Sequence, residues 1–315
     1  MSVHNLVSDK SPLQSLLTIF LNVVLGFVIV GPMLGLGIAS LFYDGNLLND
    51  FQNPDEHPGV IGPILLTQSI ATFVGLILFP AIQIMAIERK RILPFFPSQQ
   101  KTLLILILAS LLGLSFIISI SPLVEWNMNM KFPEFMKDFE TWARQEEDRL
   151  TKLTEAMTKF ASVGDLLIGL VVIALLPAVG EELVFRGMIQ NEFFRGTRNI
   201  HFAIWISATI FSAIHLQFYG FIPRVLLGAL FGYLYYWSGN LLVPMFAHFF
   251  NNAFGVTMIY LYNQKITTLD VEDNTAAPVQ YVILNLVITV GLLYYIWKHY
   301  RELNHSKSDT VIDNF

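Results

Sequence analysis

The sequence contains no cysteine, which excludes disulfides, thiolate nucleophiles, thiolate zinc sites and iron–sulfur clusters, and leaves the redox compartment unspecified. Charge is also scarce. Asp, Glu, Lys and Arg make up 14% of the 315 residues, against about 25% in soluble domains. There is no HExxH stretch, no internal repeat and no low-complexity tract, and a net charge of −5 gives no sign of nucleic-acid binding. What is abundant is apolar: 54% of the residues are hydrophobic and mean hydropathy is +0.56. Several uncharged runs reach the roughly 20 residues that a helix needs to cross a bilayer core of about 30 Å. The expected fold is all-α, a polytopic membrane helix bundle.

Eight spans are expected, at about 13–43, 61–87, 103–120, 166–194, 202–216, 221–237, 241–262 and 279–297. Together they make one transmembrane domain over 1–298, followed by a disordered polar tail over 299–315. The first and fourth spans are long enough to be tilted or broken, and "GPMLGLG" and "LLPAVG" supply the breaks. The apolar run after Lys10 is too long for a cleavable signal and is expected to remain as the first span. Segment 44–60 holds four acids and no Lys or Arg, which suits the outside. Arg89, Lys90, Arg91, Lys101, Arg195, Arg198, Lys298, Arg301 and Lys307 fall on the other side, so both termini are expected in the cytoplasm. With no eukaryotic targeting or retention signal, a bacterial plasma membrane is the expected location. Tyr235, Tyr236, Trp237, Tyr294, Tyr295 and Trp297 read as interface anchors.

Between the third and fourth spans, over about 133–160, Phe135, Phe139, Trp142, Leu150, Leu153 and Met157 recur at helical spacing. This predicts an amphipathic helix, a lid resting on the membrane face or on the bundle.

The stretch "GEELVFRG" places Glu181, Glu182 and Arg186 inside an apolar helix. A charge near the bilayer centre costs about 2.5–3.5 kcal/mol on insertion scales, so such groups usually face an interior cavity. Glu182 and Arg186 are four apart and can pair, whereas Glu181 is rotated about 100° away. One carboxylate is thus clamped and the other is available, unless the whole cluster is only an ion-pair network that fixes helix packing. "FSAIH" sets Phe211 and His215 one turn apart, and "HFFNN" does the same for His248 and Asn252. A carboxylate in an apolar setting can take a proton from water beside a histidine, and an imidazole with a carboxamide can donate to the oxyanion of an attacked amide. Glu181 and His215 are assigned to water activation, His248 and Asn252 to the oxyanion. Alternatively Glu181, His215 and His248 would hold a catalytic divalent metal such as zinc with an open water position. The same residues serve without one.

The ordered triple "EELVFR", "FSAIH" and "HFFNN" resembles the EExxxR, FxxxH and HxxxN signatures of the CPBP family, the CaaX endopeptidases and bacteriocin-processing enzymes also called the Abi family. The resemblance covers about residues 160–262 and implies an eight-span intramembrane endopeptidase. It implies catalytic roles for Glu181, His215, His248 and Asn252 and supporting roles for Glu182, Arg186 and Phe211. It also implies a peptide or protein substrate in or at the bilayer, lipidated or unmodified. It leaves open a glutamate-dependent or a metallo-type mechanism. Two other classes compete: a proton-coupled transporter, which expects inverted repeats not seen in residues 11–120, and a catalytically silent scaffold for a partner's transmembrane helix.

Overall fold

The computed structural model describes residues 10–52, 54, 56–88, 92, 95–97, 101–270 and 275–312, with side chains through residue 303. Arg89, Lys90, Arg91 and His4, and the side chain of Lys307, lie outside the described residues. Every described element is a helix. Among the described residues seven helices are long and apolar enough to cross a membrane: α1 (Pro12–Ala39), α2 (Pro58–Ile87), α3 (Thr102–Ser119), α6 (Val163–Thr197), α8 (Phe218–Ser238), α9 (Leu242–Asn263) and α10, whose apolar part is Val279–Leu303. Between them lie α4 (Ser121–Met128), α5 (Lys137–Met157) and the shorter apolar helix α7 (Ile200–Ala213). The protein is a multi-pass membrane helix bundle.

The expected breaks in the long helices are not breaks. α1, α2 and α6 run on through stretches of π-helix at Val24–Val30, Phe73–Leu78 and Leu170–Leu175, each ending two residues before a proline, Pro32, Pro80 and Pro177. A helix-interior proline clashes with the carbonyl four residues back and lacks an N–H to give it. Widening the preceding turn to i→i+5 bonding relieves both problems without breaking the rod. Pro244, by contrast, lies in the first turn of α9, where its missing N–H costs nothing. The widened turn in α1 also keeps Gly26 and Gly31, five apart, on one face. A Cβ at Gly26 would lie 2.7 Å from Gly75 Cα, and one at Gly31 would lie 2.5 Å from Ala71 Cα. α1 and α2 therefore pack backbone to backbone, as helices do where lipid supplies no hydrophobic drive.

Hydrogen bonds show which connections share an end. Arg195 Nη1 donates to the Lys10 carbonyl at 2.8 Å, and Asn240 Nδ2 to the Pro97 carbonyl at 3.1 Å. At the opposite end the Ala277 N–H donates to Ser121 Oγ at 3.0 Å, and Gln264 Nε2 to the Phe160 carbonyl at 3.1 Å. α7 joins the two ends in only 14 residues, about 21 Å of rise. The fifth span was expected over 202–216. It stops at Ala213, and His215 lies in the turn beyond it, ahead of Leu216, whose φ is +57°.

α5 is amphipathic as expected, though trimmed to Lys137–Met157 behind a short 3-10 turn at Glu134–Met136. It docks on the connection after His215. Phe139 and Phe132 hold Phe218 at ring distances of 5.6 and 4.9 Å, and the Arg144 guanidinium covers the Tyr219 ring at 4.4 Å. Two readings need correction. The polar tail expected from 299 onward is helical as far as Ile312, where α10 ends. Tyr235 is a core residue rather than an interface anchor: it is buried, with its hydroxyl accepting from Asn191 Nδ2 at 3.2 Å.

Candidate active site

α6 holds the two glutamates between its two π-helical stretches, on the α-helical turn Leu176–Glu182, and Arg186 falls within the second stretch, Leu183–Ile189. Glu182 is 0% exposed and Arg186 1%. Arg186 Nη1 donates to Glu182 Oε1 at 2.9 Å and Nη2 to the Gly228 carbonyl at 2.8 Å. Its guanidinium also lies over the rings of Phe211, at 4.9 Å, and Phe231, at 5.6 Å. Planar cation, carboxylate, carbonyl and aromatic faces together make the burial tolerable.

His248 joins this cluster from α9. Its Nδ1 lies 2.8 Å from Glu182 Oε1. A carboxylate only accepts, so Nδ1 carries the hydrogen and the tautomer is set. The other nitrogen, Nε2, is thereby aimed at Glu181, whose Oε2 lies 3.7 Å away. The His248 ring stacks on Phe231 at 5.1 Å, which fixes its plane. Unlike Glu182, Glu181 keeps 15% side-chain exposure. Glu182 is held by two donors, and Glu181 is the more open of the two carboxylates.

His215 is oriented by its own helix end. Its Nδ1 is 2.7 Å from the Phe211 carbonyl, and since a carbonyl only accepts, Nδ1 is the donor and Nε2 keeps its lone pair. Phe211 stands between the histidines, its ring 4.9 Å from that of His215 and 6.2 Å from that of His248.

Asn252 lies one turn beyond His248. Its Nδ2 is 3.5 Å from the Ile173 carbonyl, and its Oδ1 is 3.5 Å from Asn251 Nδ2. Pro177 has no N–H for the carbonyl four residues back, and that carbonyl is the one Asn252 reaches. Both contacts are long, so the carboxamide is only loosely held.

The three candidate metal ligands do not form a ready set. Among the described residues no group of three or more His, Asp or Glu side chains converges to hold an ion. Both nitrogens of His248 already face carboxylates. As placed, Glu181, His215 and His248 do not fit a metal.

Sequence reasoning missed several contributors. The Gly228 carbonyl and the Phe231 ring carry no signal in one dimension. Arg224 does: it is the sole Asp, Glu, Lys or Arg between Phe218 and Ser238, and the logic applied to "GEELVFRG" would have found it.

Residues 163–254 contain all three motifs and match the family described as Type II CAAX prenyl endopeptidase Rce1-like. That segment is similar to the Rce1-like family. Two Bacillus subtilis proteins are similar. "Uncharacterized protein YpbD" is 35% identical over 88 residues, 27% of this chain and 42% of its own length. "Putative membrane peptidase YdiL" is 32% identical over 89 residues, 28% of this chain and 36% of its own. The matches thus span less than half of either relative. No solved structure matches the chain.

Proposed function

We propose that this Rce1-like protein is an intramembrane endopeptidase that hydrolyses a peptide bond in a membrane-embedded or membrane-adjacent substrate, lipidated or unmodified, without a covalent intermediate. Glu181 takes a proton from a water that hydrogen-bonds to His215 Nε2, and the water oxygen attacks the carbonyl carbon. The oxyanion accepts from His248 Nε2–H and from the Asn252 carboxamide. Glu181 then passes its proton to the departing amine, and the C–N bond breaks.

One observation carries this reading: the 2.8 Å bond from His248 Nδ1 to Glu182. It sets a buried carboxylate behind the ring, where it can offset charge that forms on the imidazole, and it turns Nε2 toward Glu181. Moving one proton from Glu181 to His248 makes the carboxylate a base and the imidazole a donor in a single step.

The test is mass-spectrometric detection of cleavage of membrane-associated peptides by the full chain in nanodiscs. Glu181→Ala and His215→Ala are each expected to lose on the order of 10²–10⁴-fold in rate while circular dichroism and gel filtration stay unchanged. Cleavage at the unsubstituted rate by both variants would overturn the proposal. Abolition by a chelator, restored by zinc, would replace the metal-free scheme with the metallo-type one. Solute flux lost in Glu181→Gln would instead favour a transporter, and cellular function retained in Glu181→Ala a scaffold. We further propose a bacterial plasma membrane with both termini in the cytoplasm.

A further inference from the structure

Arg224 is a partly buried cation that the scheme above does not use. It stands near the start of α8, in a run with no other Asp, Glu, Lys or Arg, and a guanidinium inside a bundle normally has its donors matched. Here they are only partly matched. Nη2 donates to Gln217 Oε1 at 2.8 Å, whereas Nη1 is buried and has no hydrogen-bond partner among the described residues. Glu147 of α5 is already occupied: it accepts from Gln217 Nε2 at 3.2 Å and from the Tyr219 N–H at 3.3 Å. Room has been left for the group, since a Cβ at Gly220 would come within 3.0 Å of Nη2. The charge of Arg224 acts on Glu147, on Glu181 and on His215. A guanidinium with an unmatched donor therefore stands beside Gln217 at the docked lid helix, near enough for its charge to be felt at both groups assigned to water activation.

We propose that Arg224 binds a carboxylate of the substrate through Nη1, making it a specificity-determining residue of the site. Its location beside the scissile bond rests on the peptidase reading, but carboxylate binding does not require hydrolysis. The carboxylate comes from a peptide's free C-terminus or from an Asp or Glu side chain near the cleaved bond. Both present the same planar pair of oxygens, and an arginine matches that geometry better than a point-charge lysine does.

The test uses the full chain in nanodiscs with Glu181→Gln, so that probes survive, and fluorescence anisotropy of three labelled peptides. These are Ala-Val-Ile-Leu as the free acid, the same peptide as the C-terminal amide, and Ala-Glu-Ile-Leu as the amide. The free acid, the Glu peptide or both should bind roughly 10- to 100-fold tighter than the neutral amide. Adding Arg224→Gln should erase that preference, and Arg224→Lys should keep part of it. Which anionic probe gains identifies the source of the carboxylate. Equal binding of all three peptides, or a preference that survives Arg224→Gln, would overturn the proposal. A uniform loss for all three probes in Arg224→Gln would do the same, because it would mean that Arg224 only latches α5. Should Arg224→Gln not fold, the comparison of probes on the Arg224 and Arg224→Lys proteins decides alone. Carboxylate-selective binding without hydrolysis by the unsubstituted protein would end the peptidase reading and leave this site standing. Hydrolysis indifferent to carboxylates would do the reverse.

Discussion

Glu182 accepts from Arg186 and from His248 through the same oxygen, Oε1, and has no exposed surface. Its other oxygen, Oε2, has no hydrogen-bond partner among the described residues, so the carboxylate depends on those two donors. Arg186→Met is accordingly expected to destabilise the protein by about 3–5 kcal/mol, the usual cost of stranding one member of a buried pair. Combining it with Glu182→Gln removes the stranded charge and should recover most of that loss in a thermal unfolding assay. Hydrolysis should stay lost in the double variant, because nothing charged then stands behind His248. Recovery of both stability and cleavage would mean that Glu182 does not set the state of the histidine. The Glu182–Arg186 pair was legible in the sequence because a helix repeats every 3.6 residues and both partners lie on one rod. The Glu182–His248 bond was not legible, since it joins residues 66 apart on different helices.

At the scale of elements, the short α7 and the docked α5 shape the site together. By ending at Ala213, α7 frees His215 from helical geometry and lets its ring turn back on the Phe211 carbonyl. The expectation that this helix runs to residue 216 extended it too far. Apolar residues continue past its end, and hydropathy alone does not register where backbone bonding stops. α5 then covers the connection through Glu147. Burial, the largest influence, pushes the Glu147 carboxyl above the ordinary glutamate range, while the Tyr219 N–H, Arg224 and Gln217 pull it down and Asp148 pushes it up. A raised value means that docking favours the protonated form. Its contribution is complete below the ordinary glutamate pKa and fades as pH climbs through the raised one. Hydrogen-exchange protection factors over residues 214–220 should therefore fall with rising pH, and Glu147→Gln should flatten that slope. An unchanged slope in the variant would assign the pH response to another group.

For the whole molecule, the connections alternate between two ends, with Lys10, Pro97, Arg195 and Asn240 at one and Ser121, Phe160, Gln264 and Ala277 at the other. The proposed orientation puts the first set in the cytoplasm. Because the chain has no cysteine, single cysteines introduced at Lys101 and Asp44 can be labelled without background. A membrane-impermeant maleimide added to intact cells should label the Asp44 position and spare Lys101, and the opposite pattern would invert the topology. The sequence by itself determined that the chain lives in a bilayer and which residues are polar inside it. It also set which of them share a helix face, because transfer energies and the 3.6-residue period are local properties. Tertiary structure alone decided that prolines widen turns rather than break them, that His215 leaves its helix, and that Arg224 keeps a free donor beside Glu147. Each of these depends on which backbone and side-chain atoms arrive within about 3 Å of one another, and hydropathy along the chain does not encode that.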